Sequence, residues 1–216
     1  SPAMGYYLTY MGNRRGNENT GRMPDENYAR ELLQLFTIGV EELNPDGSPV
    51  IVNGAPVETY DNTDITGLAR VFTGLDLDPD LRQSDEMQAW ASPMVERDNR
   101  HETGEKTFLG RTIPANTPMD ESIDRALDII MEHPNVGPFV GRQLIQRFVT
   151  SDPEPAYVRR VAQAFDEGRY VLPNSTVIGD GRKGDLAATL AAVLFDDEAR
   201  DPARRVADDF GKVREP

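Results

Sequence analysis

The sequence predicts a mainly α-helical fold, a single multi-helix domain of about seven helices with small β-hairpin excursions near residues 49–59 and 86–110. Three observations predict it. Apolar residues recur at three- and four-residue spacing in one stretch after another. Gly and Pro, 18 and 16 of 216 residues, punctuate the ends of those stretches. Strand-like runs are short and isolated, so each must lean on helices to be stable.

Taken in order, Ser1 caps and Pro2 starts a short helix through about Met11, with Met4, Tyr7, Leu8 and Met11 on one side. Gly12 to Gly21 is a polar loop. The stretch that organises the chain follows, Pro24 to Gly39, reading PDENYARELLQLFTIG. Pro24 suits a first helical turn, and Asp25 and Glu26 complement the positive end of the helix dipole. Tyr28, Leu32, Leu35 and Phe36, widened by Ala29 and Leu33, form the stripe expected to be buried, and Gly39 is the expected left-handed terminator. The other face carries Asn27, Arg30, Glu31 and Gln34.

Asn44-Pro45-Asp46-Gly47 reads as a turn, and Val50–Val52 and Pro56–Glu58 flank Asn53-Gly54-Ala55 as a small hairpin. A helix from Thr63 or Asp64 buries Ile65, Leu68, Ala69 and Phe72 and ends at Gly74. Trp90, Met94 and Val95, then Thr107 to Leu109, predict short strands on either side of a polar tip at Arg97 to Glu105. Thr117 to Asp120 reads as a capping-box start for a helix carrying Ile123, Ala126, Leu127 and Ile130. His133-Pro134 breaks it and launches another, in which Val136, Val140, Leu144 and Phe148 step by four. Asp152-Pro153 opens a helix with Tyr157, Val158, Val161 and Phe165 inward. After a loop with a brief hairpin at 168–184, Asp185 caps a helix carrying Leu186, Leu190, Val193 and Leu194. The polar tail, Asp201 to Pro216, is expected to be partly helical. No stretch reads as a linker, so residues 1–216 are expected to form one domain.

A formal charge of −14 argues against nucleic acid as a partner, because a polyanion is repelled. The absence of cysteine removes thiol nucleophiles, Cys-ligated metals and disulfides. No apolar run approaches the roughly 20 residues that span a bilayer. No charged-then-apolar leader opens the chain, so an export signal would lie outside it.

Candidates for chemistry are few. The two histidines are His101, at the polar tip, and His133, at a helix junction. With Glu31 they form the trio that could act as acid, base or ligands to one divalent metal if folding brings them together. The competing readings are that His133 caps the preceding helix and that His101 orders a turn. Glu31 reads either as a buried strut, with Lys106 as its partner, or as a base. Arg30 and Lys106 are the candidate anchors for an anionic substrate. Glu26, four before Arg30, reads as its intrahelical partner, and Asn27 and Asp185 as structural groups. Arg30 and Glu31 are expected to pair with groups from 97–110 or the 133–148 helix. The Gly-rich run Gly179 to Asp185 fits neither a phosphate loop nor a calcium loop and reads as a turn plus N-cap.

Several blocks together resemble a bacterial family called domain of unknown function 1800. They are Asp25 to Gly39, Ser1 to Met4, Ala69 to Gly74, His101 through Lys106 to Gly110, His133-Pro134, Gly184 to Leu186, Glu198 to Arg200, and Gly211 to Pro216. Asp25 stands where that family often has Asn, and Glu102 where Asp is usual. The resemblance implies a fragment of a longer, exported protein, periplasmic or extracellular, acting beside a protein of a second family, domain of unknown function 1501. It implies no particular activity. The expected function is therefore a non-catalytic scaffold or binding module acting with a partner protein. The alternative is a metal-assisted hydrolase built on Glu31, His101 and His133.

Overall fold

A computed structural model describes residues 1–204, 207 and 210–212. Among these the chain is mainly helical. In chain order the helices are α1 (Pro2–Tyr7), α2 (Asn27–Glu31), α3 (Asn62–Val71), α4 (Pro79–Ser84), α5 (Glu86–Ala91), α6 (Met119–Glu132), α7 (Val136–Phe148), α8 (Pro155–Glu167), α9 (Leu186–Phe195) and α10 (Asp197–Arg200). Antiparallel hairpins join β1 (Ile51–Val52) to β2 (Ala55–Pro56), β3 (Leu75–Asp76) to β4 (Val95–Glu96), β5 (Lys106–Phe108) to β6 (Arg111–Ile113), and β7 (Tyr170–Val171) to β8 (Val177–Ile178). The residues fall into two compact units, Ser1–Phe36 with Tyr60–Ile130, and Thr37–Thr59 with Met131–Pro216.

In the first unit α3 is the central helix. Asp61 opens it with a full capping box, accepting from Thr63 N at 2.6 Å and Asp64 N at 3.1 Å, while Asp64 accepts from Asp61 N at 3.0 Å. Ile65, Leu68, Ala69 and Val71 are buried, and β5 crosses the helix at Gly67, where a Cβ would stand 1.8 Å from Thr107 O. Asp64 also accepts from Leu109 N at 2.6 Å, which fixes the β5–β6 hairpin to the same helix. Tyr28 packs tilted against Tyr10 and edge to face against Phe72, the residue that ends α3, tying α2 to that helix.

The organising stretch departs from the regular helix its spacing predicts. After α2 the bonding widens to a π-helical turn over Leu32–Thr37. Bonding from i to i+5 moves the buried side from Leu33 to Ile38, both fully buried, and swings out Leu35 and Phe36, which are 50% and 45% exposed. Gly39 takes the predicted left-handed conformation, φ 73°. Trp90, expected in a strand, lies in α5. Asp78-Pro79 and Asp85 supply caps that open α4 and α5, so helix fills the space between β3 and β4. Val95 and Thr107-Phe108 therefore do not pair with each other. Val95 pairs with Asp76, and Phe108 with Arg111.

The second unit is built on α7, α8 and α9. The inward face of α7 is Val136, Gly137, Gly141 and Ile145; of the predicted step Val136 is buried, Val140 and Leu144 are half-buried and Phe148 stands exposed. A Cβ at Gly141 would lie 3.1 Å from Val161 Cγ1, so the small residue lets α8 approach closely. Ile145, Tyr157, Val158, Val161, Ala192 and Val193 form the core, and the Tyr157 hydroxyl donates to Val193 O. Asp185 caps α9 as predicted, accepting from Ala188 N at 2.8 Å. Asn53 and Gly54, with φ 53° and 82°, supply the turn between β1 and β2. Of the tail expected to be partly helical, residues 205, 206, 208, 209 and 213–216 lie outside the described residues.

Candidate functional site around His101 and Lys106

Lys106 opens β5, where alternate side chains point inward, so Lys106 and Phe108 face the interior and Thr107 faces out. The result is an unusual group. Lys106 is 0% exposed, and its Nζ has no hydrogen-bond partner. Burial lowers its pKa below the ordinary lysine value, partly offset by the negative charge of Glu102.

His101 ends the turn that precedes β5. Its backbone N donates to Arg97 O at 3.2 Å and passes close to Gly74, which adopts φ 97° and whose Cβ would stand 3.1 Å from His101 N and 3.2 Å from Arg97 O. The ring is buried. Nδ1 lies 2.9 Å from Thr73 O, and a carbonyl can only accept, so Nδ1 carries the hydrogen and neutral His101 presents a bare Nε2. That Nε2 is buried without a partner. Burial pulls the pKa of His101 below the usual histidine value, with the Lys106 charge acting in the same direction. The Thr73 bond, Glu102 and Asp98 oppose the shift.

Thr73 organises this corner. Its hydroxyl donates to Arg70 O at 2.8 Å and accepts from Glu102 N at 2.9 Å, while its carbonyl holds the imidazole. The polar loop after α1 is pinned over the same turn, because Arg15 N donates to Arg100 O at 2.8 Å. Buried Asn13 exchanges bonds with the backbone of Asp25, accepting at 2.9 Å and donating at 3.2 Å, and its own carbonyl accepts from Gly74 N at 2.9 Å.

Of the other predicted residues, Glu26, Asn27, Arg30 and Glu31 belong to the first unit. Arg30 is exposed and pairs with Glu26 at 3.6 Å, as the i, i+4 spacing predicts, and within the first unit it makes no ion pair with the 97–110 segment among the described residues. Glu26 also accepts from the Thr66 hydroxyl at 2.7 Å, and Asn27 N donates to Asp25 Oδ1 at 2.9 Å. Glu31 is half-buried, and Lys106 is not its partner; the charge of Glu31 is felt by the Tyr60 hydroxyl. The cause is that the polar side of the short α2 and of the π-helical turn after it faces outward, with Arg30 and Gln34 both exposed.

His133 belongs to the second unit and is held in the reverse sense. Its Nδ1 accepts from Asn135 N at 3.1 Å, so in the neutral ring the hydrogen sits on Nε2. It thus serves the start of α7, from the position that directly follows the last residue of α6. Burial lowers its pKa, opposed by Glu42 and assisted by Lys183. Asn135, buried beside it, donates to Ile38 O at 2.8 Å and Glu41 O at 2.7 Å and accepts from Leu43 N at 2.9 Å.

Among the described residues no group of three or more His, Cys, Asp or Glu could hold a metal ion. No helix among them is long and apolar enough to cross a membrane. Sequence reasoning missed Asn13, Thr73 and Asn135, since single amides and hydroxyls in loops carry no periodic signal. No curated protein and no solved structure matches the chain. A family model does match, over residues 1–216, and the chain belongs to that family, described as Protein of unknown function (DUF1800).

Proposed function

We propose that the chain is a non-catalytic binding module, exported to the periplasm or beyond the cell, that docks a partner protein. One observation carries this reading. Large side chains stand in solvent on α1 and α5, which pack together in the first unit: Tyr6 is 70% exposed, Tyr7 78% and Met87 82%. Tyr6 meets Trp90 edge to face at 5.8 Å, and Met87 and Trp90, three apart, share one side of α5. Tyr, Trp and Met are the residues enriched at the centres of protein interfaces, and an apolar patch left in water favours being covered. Asp80, Asp85 and Glu86 are exposed on the same helices or next to them, which favours a partner whose rim carries Lys or Arg. Export, and a partner from the domain of unknown function 1501 family, rest on family resemblance. That partner is the one to test first. Tyr7→Ser with Met87→Ser should weaken its binding at least tenfold at an unchanged melting temperature. Unchanged affinity would remove this face from the account.

A metal-assisted hydrolase is the second reading, and one observation favours it. An imidazole that donates Nδ1–H to a backbone carbonyl and leaves Nε2 bare has the posture of a ligand or base. Metal content of the purified protein, compared with His101→Ala, tests it. Equal content in the two would remove His101 as a ligand.

A further inference from the structure

We propose that Lys106 and His101 form a binding site for a small oxyanion of the phosphate or carboxylate class. The inference stands independently of the docking face. Three nitrogens in this region are buried without a partner, Lys106 Nζ, His101 Nε2 and Arg97 Nε. Buried polar groups are almost always satisfied, so an unsatisfied set points to what is missing: Lys106 Nζ and Arg97 Nε are donors that need an acceptor, and His101 Nε2, bare in the neutral ring, becomes a third donor once protonated. The nearby carboxylate does not fill the need. Glu102 acts on Lys106 through space, but its Oε1 is engaged by Gly104 N at 2.9 Å, and no ion pair joins it to Lys106 among the described residues. The groups whose charge bears on His101 are Lys106, Glu102 and Asp98.

The local field points the same way. In a chain of net charge −14, Arg14, Arg15, Arg22 and Arg97 have no carboxylate within ion-pair distance among the described residues. Arg15 lies on the loop whose backbone is bonded to Arg100 O, next to His101. An anion with two oxygens accepts from the Lys106 ammonium with one and from His101 with the other. For that, Nε2 must take up a proton from solvent while Nδ1 keeps its bond to Thr73. Binding is therefore coupled to proton uptake and raises the titration midpoint of His101.

The test uses the whole chain with labelled imidazoles, titrated with sodium phosphate, and separately with sodium acetate, against sodium chloride at equal ionic strength. One of the two oxyanions should give a saturable shift of the His101 signals and a raised His101 midpoint, with His133 unmoved. Lys106→Met should weaken that binding at least tenfold. Drift that does not saturate, equal movement of both histidines, or the same response to chloride would overturn the site. So would a folded Lys106→Met variant that binds as the wild type does. Because the wild-type comparison with chloride is decisive alone, a variant that fails to fold leaves the proposal open to refutation.

Discussion

His101 and His133 are the two histidines of the chain, and they are held in opposite ways. Each lies in a turn beside a helix, His101 buried and His133 half-buried, and burial depresses the pKa of both. At His133 the ring accepts through Nδ1, and the neighbouring Asn135 makes three bonds that close the loop around Ile38 to Leu43. At His101 the ring donates through Nδ1, and the remaining nitrogen and the adjacent Lys106 are left with nothing to bond. Burial alone therefore does not mark a site. What separates the two turns is the leftover hydrogen-bonding capacity, and removing a group should have opposite consequences on the two sides.

The largest effect belongs to the completed turn. Asn135→Ala orphans Leu43 N and the carbonyls of Ile38 and Glu41, and at about 1–3 kcal/mol per buried unsatisfied group it should cost about 3 kcal/mol or more in chemical denaturation. Next comes the incomplete one. Lys106→Met keeps the aliphatic volume and removes an unsatisfied buried amine, so it should stabilise by about 1–3 kcal/mol at neutral pH. The sign with pH follows from the lowered pKa. The unfolded chain holds the lysine proton more tightly, so wild-type stability is greatest above the ordinary lysine value and is lost as pH falls through the folded value. The advantage of Met should accordingly shrink as pH rises toward about 10.4. A destabilised, folded Lys106→Met variant would break the comparison. The smallest effect is expected at Glu31, which lies in neither turn. Glu31→Ala should shift stability by no more than about 0.5 kcal/mol in a melting curve. A loss of several times that would restore it as a buried strut.

The helices that carry the fold were readable because their caps and apolar spacing agree, as at Asp185 and across α8. The short α4 and α5 were missed although Asp78-Pro79 and Asp85 announce them, because six-residue helices are too brief to show a periodic stripe. The buried face of α7 was legible at Val136 but not at Gly137 and Gly141, because glycine does not register as apolar, yet these two bring α8 close. Leu35 and Phe36 were misplaced because nothing in their spacing signals a π-helical turn. Of the candidate site, the pairing of His101 with the Lys106 turn followed from their nearness in sequence. Its real anchor, Thr73, comes from 28 residues upstream of His101 and could be found only through the fold.

Imidazole nitrogen resonances followed against pH test the contrast most directly. The account predicts opposite neutral tautomers, with hydrogen on Nδ1 at His101 and on Nε2 at His133, and both midpoints, without added oxyanion, below about 6.5. The same tautomer at both rings, or a His101 midpoint above that value in chloride alone, would contradict it.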